Sequence, residues 1–254
     1  MNDFYRNPKE LVKGITSWLE EHLAAAGAKG ALLGLSGGID SSLLAVLLRR
    51  VCGSSMAGLI MPCHSDPRDE KDARQLAETF DIPTERIDLG PAFDQLCTSL
   101  PPEDQKRATP LSLGNVKARL RMATLYAVAQ PRGFLVCGTS NRVEWTVGYF
   151  TKYGDSGSDL LPLADLLKGE VLSIARYLGV PEGIINKPPS AGLWPGQTDE
   201  GEMGVSYDAL DRYLAFGTAT PEVLAFVKKA EIRSEHKRSF PPRCLLPGGD
   251  LSEE

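Results

Sequence analysis

Residues 31–42 read ALLGLSGGIDSS, and from Ser41 to Cys52 the chain is apolar on nearly every side. This junction constrains the fold more than any other stretch. A short apolar run bounded by a turn reads as a buried strand, and a segment apolar all round reads as a buried helix. The turn between them, with glycines at 37 and 38 and serines at 36, 41 and 42, forms no core of its own. Gly37 and Gly38 let the backbone turn tightly and expose its N–H groups, the helix adds the positive end of its dipole, and the serines add hydroxyl donors. The result is an anion cradle suited to a phosphate chain. It contains neither the Gly-Lys-[Ser/Thr] of a Walker A loop nor the G-x-G-x-x-G of a dinucleotide fold. Asp40 inside such a cradle repels phosphate unless a cation lies between them, so it is a candidate Mg2+ ligand. The plainer alternative is a tight turn in which Asp40 and Ser41 cap the helix.

Strands and helices alternate along the chain. Asn7-Pro8-Lys9-Glu10 marks a helix start, and Leu11, Ile15, Trp18, Leu19 and Leu23 follow at helical spacing until Gly27. Strands are expected at 31–35, 57–61, 86–89 and 134–138, and helices at 41–52, 69–80, 113–130 and 166–178. Two shorter helices are expected after Ser206 and after Thr220-Pro221. Strands separated by helices imply parallel pairing with right-handed crossovers. The expected fold class is α/β, a doubly wound, mainly parallel sheet flanked by helices, with ligands beyond the carboxyl ends of the strands. The segment 188–204, rich in Gly, Pro and acidic residues, is expected to be a mobile loop.

A length of 254 residues with 42% hydrophobic and 24% charged side chains fits one elaborated globular domain, residues 1–254. The net charge of −5 argues against a nucleic-acid-coating surface, while leaving room for a local basic pocket. The start MNDFYRNPKE has no export-signal pattern, and the greasiest stretch, Leu43 to Leu48, is too short to cross a bilayer. The five cysteines are odd in number and widely spaced, as in reduced thiols of a cytoplasmic protein. No cysteine–histidine spacing resembles a zinc site, and the Cys63–His64 pair reads as loop chemistry or packing.

The loop SGGIDSS after a strand resembles the pyrophosphatase loop of the N-type ATP pyrophosphatases, which split ATP into AMP and pyrophosphate. GMP synthetase, asparagine synthetase, tRNA-modifying enzymes and NAD synthetase share it, so the loop alone does not choose among them. Four further blocks do: GNVKARLRM (114–122), GTSNRVEWTVGYFTKYGDSGSDLLPL (138–163), KPPSAGLWPGQTDEGEMGVSYDALD (187–211) and EHKR (235–238). In this order they resemble the ammonia-dependent NAD synthetases, and the fold implied is that of the adenine nucleotide alpha hydrolases. Ile39 stands where some members carry glutamine, and Ala191-Gly192 replaces an Ala-Asp pair.

The resemblance implies roles residue by residue. ATP would be held by Gly34, Leu35, Ser36, Gly37, Gly38, Ile39, Asp40 and Ser41, with Thr139, Lys168 and Ser190. Deamido-NAD would be held by Arg119, Lys152, Asp159, His236 and Lys237, with Asp155 as an extra polar contact and the roles of Tyr149 and Phe150 open. Asp40 and Glu144 would share Mg2+, and Asp40 and Lys168 would stabilise developing charge. Without the resemblance, Glu144 reads as a solvated loop acid, and Arg119 as one surface cation among Lys117 and Arg121. Lys168 stands near a helix start, where the dipole disfavours a cation, which invites a phosphate partner.

The implied reaction is ATP-dependent amidation of deamido-NAD by ammonia, through an adenylate, giving NAD+, AMP and pyrophosphate as the final step of NAD biosynthesis. No side-chain nucleophile is needed. The length leaves no space for the amidohydrolase domain of glutamine-using relatives, so free or delivered ammonia is the expected nitrogen source. A homodimer with its active sites near the subunit interface is also implied, with no nucleic-acid or membrane partner. Two rivals share parts of the pattern: a GMP-synthetase-type subunit, and a sensor that binds ATP without turnover. The paired acids and Lys168 weigh against mere binding.

Overall fold

The chain is a computed structural model giving residues 4–194 and 196–244. Asn7 caps helix α1 (Pro8–Ala25), its Oδ1 accepting the Lys9 N–H at 2.9 Å, while Pro8 occupies a helical position that needs no donor. Strand β1 (Gly30–Gly34) follows, then α2 (Ile39–Cys52), β2 (Met56–Ile60), α3 (Pro67–Phe80) and β3 (Thr84–Arg86). Helices α4 (Gly90–Thr98), α5 (Pro102–Arg107) and α6 (Pro110–Arg132) lead into β4 (Phe134–Val136). Beyond it come α7 (Arg142–Val147), α8 (Lys168–Leu178), α9 (Glu182–Ile185), α10 (Asp199–Met203), α11 (Tyr207–Phe216) and α12 (Pro221–Arg238).

The strands form one parallel sheet in the order β3-β2-β1-β4. β1 pairs Ala31 with Met56 on one side and with Leu135 on the other. The chain winds outward from β1 to β3, then returns to place β4 on the opposite flank. That reversal opens a crevice beyond the carboxyl ends of β1 and β4, where ligands bind in open α/β sheets. Alternation along β1 sends Ala31 and Leu33 into a core with α1, α2, α3 and α8, and Leu32 into a second core with α4 and α6. Both faces are covered, which is why β1 and β2 read as nearly continuous apolar runs. A third cluster, including Val143, Val147, Tyr207, Leu210 and Val227, ties α7 and α10 to α11 and α12. This is the doubly wound α/β fold expected from the sequence.

Several boundaries differ from the sequence expectation. The third strand lies at Thr84–Arg86 rather than 86–89, although the N–H groups of Ile87 and Leu89 still donate to the carbonyls of Ile60 and Pro62 at 2.9 and 2.8 Å. The long helix starts three residues early because Thr109 and Ser112 form a reciprocal cap. α3 begins at Pro67 behind an Asp66 cap, and α12 is an 18-residue helix rather than a short one. The segment 188–204 contains α10, and its Asp199 is buried with its N–H donating to the Pro189 carbonyl at 3.0 Å. Pro195 of that segment, and residues 1–3 and 245–254 of the expected 1–254 domain, lie outside the described residues. No helix among the described residues is long and apolar enough to cross a membrane.

Candidate active site

The cradle is shaped by one glycine with a positive φ. Gly37 adopts φ +77°, and a Cβ there would overlap the carbonyl oxygen of Asp69 on α3. Gly38 is the N-cap of α2 and has no side chain to bond the first turn, so no capping group occupies the N–H groups there. The hydroxyls of Ser36 and Ser41 lie 2.9 Å apart, Ser36 Oγ accepts the Gly38 N–H at 3.2 Å, and Ser41 Oγ donates to the Gly38 carbonyl at 3.0 Å. Two of the three serines therefore brace the turn. Ser42 points into the interior, where its Oγ is buried without a hydrogen-bond partner among the described residues.

Asp40 sits in the first turn of α2. Its Oδ2 lies 2.6 Å from Lys168 Nζ, and its Oδ1 accepts a hydrogen bond from Asn141 Nδ2 at 3.0 Å. Asn141 is fully buried and does three jobs. Besides holding Asp40, its Oδ1 accepts the Glu144 N–H at 3.1 Å, while its own N–H donates to Glu144 Oε2 at 3.1 Å. This capping box fixes Glu144 at the start of α7, beside Asp40. Tyr207 closes the cluster: its hydroxyl donates to Asp199 Oδ2 at 2.9 Å, and its ring lies 4.9 Å from Lys168 Nζ.

The charges in this cluster are coupled. Burial, then the neighbouring Asp40 carboxylate, push the Glu144 carboxyl up to about 8 against the pull of Lys168. Burial works against the Lys168 charge, but Asp40 and Glu144 outweigh it and hold its ammonium above the usual lysine range. Burial also raises the Asp199 carboxyl, whose Oδ1 has no partner among the described residues. The cluster carries more acid than base, so it favours an added cation.

The Leu167 side chain at the start of α8 caps nothing, and most of the bonds to its first turn come from elsewhere. Asp211 of α11, 1% exposed, accepts the Lys168 N–H on Oδ1 at 2.9 Å and the Gly169 N–H on Oδ2 at 2.8 Å. Tyr5 donates its hydroxyl to the same Oδ2 at 3.1 Å. Glu170 Oε2 accepts the Leu167 N–H at 3.0 Å and is gripped by Arg6 Nη2 at 2.7 Å. These acids supply the negative charge that a helix N-terminus favours. They fix the backbone from which Lys168 reaches Asp40.

A cavity of about 1400 Å³ opens over the cluster, beyond the carboxyl ends of the strands. Except for Gly37, every residue expected to hold ATP lines it, as do Glu144, Asp155, His236 and Lys237. Ser190 sits on its rim with its Oγ accepting the Gly192 N–H at 3.1 Å. Arg119, Lys152 and Asp159 are not brought to that wall. Arg119 Nη2 donates to the Lys152 carbonyl at 3.2 Å, and Lys152 Nζ donates to the His236 carbonyl. Asp159 closes the end of β4, accepting the Val136 N–H at 2.8 Å and the Tyr126 hydroxyl at 2.9 Å. Lys237 Nζ is bound by the carbonyls of Gly148 and Phe150 at 2.8 and 2.6 Å.

The sequence reading missed Asn141, Asp199, Tyr207 and Asp211. Asn141 was legible, because Asn-Arg-Val-Glu carries the spacing of a capping box. Asp211 was not, since the helix it caps lies 43 residues away. Burial pushes the Cys63 thiol up and the Cys137 thiol up to about 12, so neither is an activated nucleophile.

Comparison with known proteins places the chain among its relatives. The profile of the NAD synthase family matches residues 11–241. An NH3-dependent NAD+ synthetase of Syntrophomonas wolfei is 46% identical over 245 residues, covering 95% of this chain and 98% of the relative. Among solved structures, an NMN synthetase from Francisella tularensis superposes with a TM-score of 0.88 at 39% identity, covering 96% of this chain and 99% of that one. An NH3-dependent NAD synthetase from Campylobacter jejuni superposes with a TM-score of 0.78 at 28% identity, covering 94% of this chain and all of that one (100%). The sequence match runs over nearly the whole length, and the chain belongs to the NAD synthase family.

Proposed function

We propose that this chain amidates deamido-NAD with ammonia at the expense of ATP, giving NAD+, AMP and pyrophosphate. The observation that carries the reading is the Asp40–Lys168 contact at 2.6 Å, set at the mouth of a phosphate cradle with Glu144 beside it. A carboxylate does not react with ammonia until one of its oxygens becomes part of a leaving group. In the first step a nicotinate oxygen attacks the α-phosphorus of ATP, the bond to the bridging oxygen breaks, and pyrophosphate leaves. In the second, ammonia attacks the acyl carbon, the carbon–oxygen bond to AMP breaks, and nitrogen loses a proton. Chemistry of this kind depends on positioning and charge neutralisation. The first turn of α2 and the 36–38 backbone hold the departing pyrophosphate, and Lys168 offsets its charge.

We infer that Asp40 and Glu144 hold Mg2+. Among the described residues no group of three or more His, Cys, Asp or Glu side chains surrounds a metal position. A pair of carboxylates fits an ion that completes its shell with phosphate oxygens and water. Burial, then the neighbouring Asp40 carboxylate, push Glu144 up to about 8, and an added cation relieves the second of these. When bound, Mg2+ neutralises phosphate charge. We place the working protein in the cytoplasm as a single-domain chain and a homodimer, on the cysteine pattern and the family resemblance; light scattering of the purified chain tests the dimer.

A second reading has a specific observation behind it, the 0.88 superposition on an NMN synthetase. The same adenylation then acts on nicotinate mononucleotide. Turnover with equal concentrations of the two acids, product identified by mass spectrometry, decides between them. Preferential formation of NAD+ supports the first reading, and preferential formation of NMN replaces it with the second.

A further inference from the structure

Arg121 projects from α6 into the cavity wall, and Asp155 and Asp69 act on its charge only from beyond ion-pair distance. Its Nε donates to the Met61 carbonyl at 3.2 Å and its Nη2 to Ser65 Oγ at 3.1 Å. Both acceptors are neutral. No described carboxylate lies within ion-pair distance of it, whereas Arg6 and Arg86 each grip two and Arg132 grips one. A guanidinium has five donors, so these two bonds leave others uncommitted. Burial lowers its pKa, as expected for a cation taken from water without an anion.

A second cation lies on the same helix face. Lys117, four residues earlier, is buried, and its Nζ donates to the Leu193 carbonyl at 3.0 Å. Like charges at this spacing repel, and both act on the Cys63 thiol at the end of β2. A buried lysine beside a half-buried arginine, neither with a described carboxylate in ion-pair contact, is costly unless a ligand supplies the anion.

The place is specific. Met61 and Ser65, which hold the guanidinium, line the cavity on the nucleotide side, just past β2. Ala118 and Met122, on either side of Arg121 along α6, pack the 151–158 turn: a Cβ at Gly154 would meet Ala118, and one at Gly157 would meet Met122. Arg121 thus stands between the expected ATP wall and the turn that carries Asp155.

We propose that Arg121 binds an anionic oxygen of the substrates where the α-phosphate of ATP and the pyridine carboxylate meet. The proposal rests on the amidation reading above. A planar fork suits either group, and charge-assisted bonds of this kind shift affinity by about 10- to 100-fold.

Isothermal titration of the purified full-length chain with ATP, AMP, deamido-NAD and NAD+ tests the proposal, on the wild type, Arg121→Gln and Arg121→Lys, with melting curves for each. Loss of at least about tenfold for deamido-NAD, with NAD+ unchanged, supports the carboxylate as the anion, because NAD+ carries a neutral amide there. An equal loss for ATP and AMP supports the α-phosphate. If Arg121→Gln does not fold, Arg121→Lys carries the test: it keeps the charge without the fork, and a smaller loss for the same ligand supports the proposal. A folded variant lacking the fork that binds all four ligands as the wild type does overturns it. Failure of the wild type to bind ATP or either dinucleotide overturns the amidation reading itself, which separates the two failures.

Discussion

Lys168 Nζ and Asp40 Oδ2 lie 2.6 Å apart although 128 residues separate them in the chain. The contact joins the first turns of α8 and α2 across the carboxyl edge of the sheet, with both groups sheltered from solvent. It sets the positive charge of the site beside the phosphate cradle.

Lys168→Met is expected to lower kcat by about 100- to 1000-fold, the range for losing one preorganised charge-stabilising donor. KM for ATP should change far less than kcat if the ammonium acts mainly on the departing pyrophosphate. Steady-state kinetics, with circular dichroism as a check on folding, measures both.

Gly37→Ala places a methyl group against the Asp69 carbonyl at a backbone φ of +77°. The left-handed conformation alone costs an L-residue about 1–2 kcal/mol, and the overlap adds to that. The loop has to shift away from α3, so inhibition by pyrophosphate should weaken at least tenfold while the sheet still melts cooperatively. Product-inhibition curves read this directly.

Asp211→Ala removes the acceptor of two α8 N–H groups and of the Tyr5 hydroxyl. The expected loss of stability is about 1–2 kcal/mol, as for other lost N-caps, and Asp211→Asn should lose less. Because Lys168 hangs from that turn, kcat should fall with stability for Asp211→Ala. Tyr5→Phe should cost stability of about 1 kcal/mol and leave kcat close to the wild-type value. Urea melts alongside turnover assays separate the effects.

Glu170 provides the acid-side test. Burial raises its carboxyl, but the bonds from Arg6 and the Leu167 N–H outweigh burial and hold it below its ordinary value of 4.5. A depressed carboxylate stabilises the fold fully above its unfolded pKa, and that contribution is lost as pH falls below 4.5 through the folded value. Arg6→Gln removes the main opposing group, so acid unfolding should begin at higher pH than in the wild type. Fluorescence-monitored acid titration of both proteins checks the shift.

The sheet and the cradle were legible because they rest on local rules. Gly37 and Gly38 mark the turn, and β1 and β2 are apolar because both faces are covered. Asp40, Glu144 and Lys168, far apart in the chain, line one cavity. What stayed hidden depends on how separate helices pack. Asp211 completes a helix that its own sequence neighbourhood does not mention, and Tyr207 reaches Asp199 only because α10 and α11 fold back together. The helices at 90–98 and 102–107 escaped because Gly90, Pro91 and Pro101-Pro102 look like loop punctuation, although proline in a first helical turn is compatible with a start. Arg121 read as one more surface cation, since nothing in GNVKARLRM tells which basic residue turns inward.

The most direct test of the central claim is pyrophosphate release from ATP and Mg2+, with deamido-NAD and ammonium added singly and together. The account predicts release only when the acid dinucleotide is present, and NAD+ only when ammonium is present as well. Release that ignores the dinucleotide, or that xanthosine monophosphate triggers in its place, would contradict it.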